Sequence, residues 1–372
     1  MVRGKKNQYN YDPIILVTTL FLTGIGLVAV FSSSSILAAE RYGDHYYYLK
    51  RQAIFCLFGF FLMIVAKNIN YLLYKKLAIL ISALSLILLI LPFVPGIGVK
   101  VGGATRWIQL YVISFQPSEA AKLSLAVFIA YSMSKNVENM RSLLSGLVPN
   151  LIIVAIFMVL ILKQPDLGTA AIIGTWMLIL LFIGGANLGH LIILLGLLAP
   201  VVFYLIVYTS YRLDRVWAFL NPWQEPEGIG FQIINSFIAF GSGGLTGVGL
   251  GDSMQKLFYL PEPHTDFIFS IIAEEMGFIG VIFLLLLFSL LVFRGIKIAL
   301  NAPELFGSYL ALGITFMLAL QVVVNMGVAM AILPTKGLTL PFISYGGSSL
   351  IINLVGAGIL MNISKTALNR TR

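Results

Sequence analysis

Apolar residues along this chain run in blocks and do not alternate with polar ones. Blocks of about 20, each long enough as a helix to cross roughly 30 Å of hydrocarbon, recur from end to end. Short polar or Pro/Gly-containing stretches separate them. The alternating pattern of a membrane barrel is absent, so the predicted elements are helices. Ten spans are expected, at about 14–37, 52–67, 76–94, 117–134, 143–162, 167–184, 188–208, 267–293, 305–330 and 347–363. The pattern predicts an all-α polytopic membrane protein, with one integral membrane domain over 1–372. The first block is too long for a cleavable signal and lacks a cleavage site, so it reads as an anchor.

Composition agrees. Hydrophobic residues make up 59% of the chain and charged residues 10%, against about 25% charged in a soluble domain. The formal charge of +9 raises the question of nucleic acid, but topology accounts for it better. Placing alternate loops together gathers thirteen basic residues, Arg3 through Arg372, against only Asp12, Glu138 and Glu304. By the positive-inside rule that side is cytoplasmic and carries both termini. Membrane lipids, and no nucleic acid, are the expected surroundings. Cys56 is the only cysteine and lies within a span, which excludes an internal disulfide.

The long connections, 38–51, 95–116, 209–266 and 331–346, all fall on the outer side, so the chemistry is expected there. Within 209–266, Phe231, Ile234 and Ile238 share one helical face, which predicts a short amphipathic helix on or dipping into the outer membrane surface. The stretch "ILPTKGLTLPFISYGGSS" (332–349) mixes Pro and Gly with apolar residues. Such backbone cannot face lipid and must be buried in protein or line a wet cavity.

The glycines of "GVGLG" (247–251) lack the strand and helix of a dinucleotide site, and no Walker motif occurs. An outward-facing enzyme without nucleotide needs a substrate that arrives activated, and in a membrane that points to a lipid-linked sugar diphosphate.

Asp266, in "LPEPHTDFIF", opens the eighth span. There Asp is a good N-cap, and the same place suits a carboxylate kept ionised by the helix N-terminus and able to accept a proton. Pro261 and Pro263 predict extended backbone before it, with Glu262, His264 and Asp266 on one side. That trio is a candidate site for Mg²⁺ or Mn²⁺ beside a diphosphate. Glu274 and Glu275 lie about two turns into the span and must face protein or water. Gln321 and Asn325 share a face of the next span and suit interhelical hydrogen bonds. Glu119 and Lys122 are expected to pair. Among the outer cations, Arg106 beside Trp107 offers a guanidinium and a sugar-stacking ring. Arg212, Arg215 and Lys336 are further candidates for diphosphate or headgroups. Small residues at Gly277, Gly280, Gly307, Ala311 and Gly313 are expected to admit a partner helix.

The stretches "GGATRWIQLYVISFQPSEAAKLSL", "QPDLGTA", "GLGDSMQKLFYLPEPHTDFIFSIIAEEMGFIG" and "PTKGLTLPFISYGGSS" carry a resemblance that runs over nearly the whole chain. It resembles the SEDS family (shape, elongation, division and sporulation), on the FtsW-like branch. The resemblance implies a ten-helix peptidoglycan glycosyltransferase of the bacterial cytoplasmic membrane. It would polymerise lipid II on the outer face, release undecaprenyl diphosphate, and work with a class B penicillin-binding protein and other division proteins. The family's essential acid falls on Asp266 and its essential tryptophan on Trp107. Ser344 and Tyr345 of the "SYGG" stretch join the candidate substrate contacts. In this scheme Asp266 takes the proton of the attacking sugar hydroxyl as general base. No second acid is required, because diphosphate already leaves well. Two rival readings remain: a lipid II flippase, since broken backbone and intramembrane acids are also transporter features, and a non-catalytic division scaffold.

Overall fold

The computed structural model describes residues 11–101, 103–110, 113–257, 260 and 262–370; Arg3, Lys5, Lys6, Pro261 and Arg372 lie outside them. Among the described residues eight helices are long and apolar enough to cross a membrane. They are α1 (Pro13–Tyr42), α2 (Tyr47–Asn68), α3 (Tyr71–Ile90), α5 (Val148–Lys163, with the turn before it), α7 (Leu188–Val207), α10 (Ile268–Asn301), α11 (Leu305–Ala329) and α12 (Gly347–Arg370). The other two expected spans are α4 (Pro117–Lys135) and α6 (Leu167–Ile183). The helix α6 is apolar but shorter. The less apolar α4 packs inside the bundle on α3 and α11 and carries Glu119 and Lys122, buried and paired at 2.8 Å as expected. A helix walled by protein needs no lipid-soluble surface, so it tolerates that pair.

The helices outrun the apolar blocks at several ends, since a helix continues past the hydrocarbon wherever capping allows. Asp12 caps α1 by accepting from the Ile14 N–H at 3.0 Å. Residues that the charge pattern assigns to one side do meet. Arg294 Nε donates to Asp12 at 2.8 Å, Lys75 lies 3.4 Å from Glu304, and Asn362 Nδ2 donates to the Lys67 carbonyl at 2.7 Å. At the opposite end Lys50 pairs with Asp44 at 2.7 Å and Arg41 approaches Glu262 at 3.7 Å.

That second end carries structure the apolar pattern cannot reveal. The 95–116 connection holds a small antiparallel sheet of β1 (Gly98–Val101), β2 (Ala104–Leu110) and β3 (Ile113–Phe115), with Val99 opposite Trp107 and Ile108 opposite Phe115. An exposed, amphipathic α8 (Ser210–Leu220) follows α7. The expected amphipathic helix forms as α9 (Phe231–Gly243). It packs on α10, with Asn235 and Ser236 buried and Ile238 outward. The Ser236 hydroxyl meets Ser270 Oγ at 2.6 Å and donates to the Ala329 carbonyl, so the serine turns inward because partners for it lie there.

After α9 the chain inserts into α10. Gly277 breaks that helix at φ +62°, a backbone state open to glycine. The N–H groups of Phe278 and Ile279 donate to the carbonyls of Gly244 and Leu245, at 2.9 and 3.1 Å. The carbonyls of Glu274 and Glu275 accept from the N–H groups of Val248 and Gly249, at 3.0 and 3.1 Å. Backbone freed inside a membrane is thus paired again, as it must be. The two acids hold the same insertion. Glu274 accepts from Ser253 Oγ and from the Met254 and Gln255 N–H groups, while Glu275 accepts from Ser32 and lies 3.2 Å from Lys256. Neither acid is free for substrate. Most of the small residues are occupied too. A Cβ on Gly277 would strike Gly247 and Leu245, Gly307 faces Tyr71, Gly313 packs toward Trp176 and Ala126, and Ala311 is fully buried. Four of the five small residues expected to admit a partner helix are therefore engaged in internal packing, while the atoms nearest to a Cβ on Gly280 belong to Met276 of its own helix.

Candidate active site

The segment before α10 turns; it is not extended. Glu262 takes a left-handed backbone (φ +50°), unusual for a residue with a side chain. Glu262, His264 and Asp266 therefore do not align on one side. Glu262 lies beside Arg41 and 3.5 Å from His264 Nε2. His264 is buried, with its ring 4.3 Å from Tyr48 and 5.4 Å from Tyr345. Among the described residues no group of three His, Cys, Asp or Glu side chains converges, so the expected cation site is not formed by this trio.

Asp266 does not cap α10 either. The N-cap is Phe267, without any side-chain cap bond. What sets Asp266 in place is its backbone, held by the 331–346 segment. Tyr345 N–H donates to the His264 carbonyl at 2.9 Å, Ser344 Oγ donates to the Thr265 carbonyl at 2.6 Å, and Asn325 Nδ2 donates to the Asp266 carbonyl at 3.1 Å. Ser344, through its hydroxyl, and Tyr345, through its backbone N–H, thus grip the acid's segment. The segment itself is largely buried, with Thr335, Leu338 and 340–344 shielded, as its broken backbone requires.

The carboxylate side chain lies among protein atoms with part of its surface accessible. A Cβ on Gly337 would lie 3.1 Å from Asp266 Oδ2, so glycine there lets the two segments meet. Burial pushes the Asp266 carboxyl up to about 7; Arg215 opposes that rise, Glu262 adds to it, and Arg106 and a hydrogen bond from Thr265 oppose it. The helix N-terminus does not keep it in the usual carboxylate range, because desolvation of the charged form outweighs the favourable partners. A carboxyl near neutrality, facing two guanidinium groups, exchanges protons readily at working pH.

The cations come from three separate elements. Arg106 on β2 donates through Nε to the Gln164 carbonyl at 3.0 Å and through Nη2 to Pro165. Arg215 on α8 donates to the Thr335 carbonyl at 3.0 Å and lies over the Tyr211 ring at 4.4 Å. Lys336 sits near Asp166, the acid that caps α6; burial lowers the Lys336 pKa, Asp166 opposes this, and Arg215 adds to it. A cavity of about 130 Å³ between α6 and α11 reaches Lys336. Arg212 does not join. It turns back to α7, donating to the Leu205 carbonyl at 2.8 Å. Neighbours on a strand project to opposite faces, so the Arg106 guanidinium and the partly exposed Trp107 ring lie on opposite faces of β2. Sequence reasoning missed Gln164, Pro165 and Asp166 as supports. The quoted "QPDLGTA" holds all three, but nothing in its spacing tells which carbonyls meet an arginine sixty residues away.

Comparison with known proteins bears on this arrangement. The FtsW/RodA/SpoVE family model, described as "Cell cycle protein", matches residues 13–369. The chain belongs to the SEDS family, on its FtsW-like branch. It is 49% identical over 357 residues to the probable peptidoglycan glycosyltransferase FtsW of Trichlorobacter lovleyi, covering 95% of this chain and 93% of that one. It is 43% identical over 355 residues to stage V sporulation protein E of Bacillus subtilis, covering 95% and 97%. The solved structure titled "Structural coordination of polymerization and crosslinking by a peptidoglycan synthase complex" matches with TM-score 0.80 and 32% identity, over 96% of this chain and 98% of that one. Thermus thermophilus rod shape determining protein RodA matches with TM-score 0.70 and 29% identity, over 99% and 100%. In this SEDS protein the residues gathered at the second end of the bundle are therefore Asp266, Arg106, Arg215 and Lys336. Trp107 stands nearby in sequence on β2, and Glu262 and His264 form a flank toward α1 and α2.

Proposed function

We propose that this chain is a peptidoglycan glycosyltransferase that polymerises lipid II during division, at the outer face of the cytoplasmic membrane. The observation that carries the mechanism is the placement of Asp266, its segment clamped by Ser344, Tyr345 and Asn325 and its carboxylate against Gly337, where burial pushes the carboxyl up to about 7 and Arg215 and Arg106 oppose that rise. Asp266 takes the proton of the attacking sugar hydroxyl as the new oxygen–carbon bond forms at the anomeric centre. The bond from that carbon to the lipid diphosphate breaks, and undecaprenyl diphosphate leaves. Arg215, Arg106 and Lys336 meet the charge developing on it. Ten spans, with α4 and α6 completing the eight longer helices, put both termini in the cytoplasm and the Asp266 cluster outside. A class B penicillin-binding protein crosslinks the product. Its single helix packs on the exposed apolar face of α10, where Phe278, Ile279, Ile282 and Phe283 point outward.

The test is purified protein with labelled lipid II and its transpeptidase, glycan products being resolved on a gel. Polymer from the wild type and none from Asp266→Asn is expected. Normal synthesis by well-folded Asp266→Asn removes Asp266 as the base. Lipid II translocation without polymer in the wild type makes the chain a flippase.

A further inference from the structure

We propose that Asn325 is a positioning residue for Asp266, a role that rests on the function proposed above. Asn325 is buried on α11, one turn beyond Gln321. Its Nδ2 donates to the Asp266 carbonyl at 3.1 Å and to the Leu338 carbonyl at 2.6 Å. Both neighbours are carbonyl oxygens, which only accept, so the amide has one orientation: its NH₂ faces them. Its Oδ1 is buried with no partner among the described residues, a cost that the two donated bonds must offset.

One amide thus bridges the two segments that build the site. Asp266 lies on one side of the bridge, and Lys336, Gly337 and Leu338 lie on the other. With Tyr345 on His264 and Ser344 on Thr265, three consecutive carbonyls are held. Only the third anchor comes from a spanning helix, and α11 is itself fixed: Trp176 Nε1 donates to its Gly313 carbonyl at 2.8 Å. Asp266 caps no helix, so its carboxylate has no anchor of the kind that usually fixes an acid at a helix start. The distance between the acid and the cationic segment is set through Asn325. Asn325 touches no reacting atom; it acts through Asp266.

The experiment compares steady-state polymerisation of lipid II by the full-length wild type, Asn325→Leu, Gln321→Leu and Asp266→Asn, across pH. Leucine keeps the volume and removes both donors. Asn325→Leu should lose about 10²-fold in kcat, the cost of a displaced catalytic group, with KM nearly unchanged. The midpoint of its pH profile should move, because Asp266 leaves its place between Arg215, Arg106 and Glu262. Gln321→Leu is equally buried and should keep the wild-type midpoint and kcat. Where Asn325→Leu does not fold, Asn325→Asp keeps the shape, offers at most one proton to the two carbonyls, and should show the same signature. A folded Asn325 variant with wild-type kcat and pH midpoint overturns the proposal. Equal losses in the Asn325 and Gln321 variants at an unchanged midpoint overturn it too, as does failure of both Asn325 variants to fold; each makes Asn325 structural. An active Asp266→Asn instead overturns the function on which it rests.

Discussion

The raised Asp266 carboxyl makes the pH dependence of polymerisation the sharpest test of the site. A general base must be ionised, and with its midpoint at about 7 only about a tenth of the protein is competent at pH 6, about half at pH 7 and about nine-tenths at pH 8. Activity should therefore rise with pH through neutrality. His264 does not supply this limb: burial first, and Arg41 second, lower it to about 4, so it is neutral throughout the range. Removing the Arg215 charge in Arg215→Met deletes the largest influence opposing the burial of Asp266. The midpoint should climb by about one pH unit or more, which costs about tenfold on the acid side. Arg215→Lys keeps the cation, loses the fork that reaches Thr335 and Tyr211, and should hold the midpoint near that of the wild type. The assay is initial rate of glycan synthesis from pH 5.5 to 9 at saturating lipid II. A wild-type midpoint in the ordinary carboxylate range, or an unmoved midpoint in Arg215→Met, refutes the reasoning.

Other outcomes follow from the same geometry. Asp266→Asn should melt at a higher temperature than the wild type at pH 8, with the gap narrowing as pH falls below 7 and closing near pH 4. The contribution of a raised carboxyl is fully present below the unfolded pKa of 3.8 and is lost progressively as pH rises from there through about 7, at most about 4 kcal/mol. Lys336→Met should weaken lipid II binding about tenfold or more with little loss of yield; unchanged affinity assigns Lys336 to headgroup contact. Trp107→Ala and Arg106→Ala should each impair turnover more than expression, with the larger loss of yield in Arg106→Ala because Arg106 also ties β2 to Gln164 and Pro165. Loss of abundance alone in Trp107→Ala makes it a packing residue. Polar substitution at Phe278 or Ile282 should weaken activation by the transpeptidase in a binding assay and leave basal synthesis intact. Full activation in both variants moves the partner elsewhere.

Block periodicity revealed the membrane helices because hydrocarbon imposes one requirement on every lipid-facing turn. It placed α4 to within one residue, 117–134 against Pro117–Lys135, although that helix meets protein and holds the buried Glu119–Lys122 pair. It gave no sign of the β-sheet in 95–116, which lies outside the hydrocarbon and owes its pairing to local register. The inward turn of α9 was hidden for a related reason. Its buried side mixes Ile233, Ile234 and Ala239 with Asn235 and Ser236, and only the positions of Ser270 and the Ala329 carbonyl explain why the serine lies inward while Ile238 lies outward.

The site shows the same division more sharply. Residue type and motif pointed to Asp266, Arg106, Arg215 and Lys336, but local rules misplaced the acid's surroundings. Proline spacing predicted an extended strand and position predicted a helix cap; both treat the segment as if its neighbours in sequence were its neighbours in space. In the fold its partners come from residues 325 and 344–345, far along the chain. They hold the carbonyls, leave the carboxylate uncapped, and enclose it. An acid serving as a cap would be stabilised as an anion and would be a poor base. Holding the backbone while burying the side chain raises the carboxyl instead, and Arg215 keeps that rise short of making it permanently protonated. Under the role proposed for Asp266, the long-range clamp is what separates a base from a structural cap at this helix start.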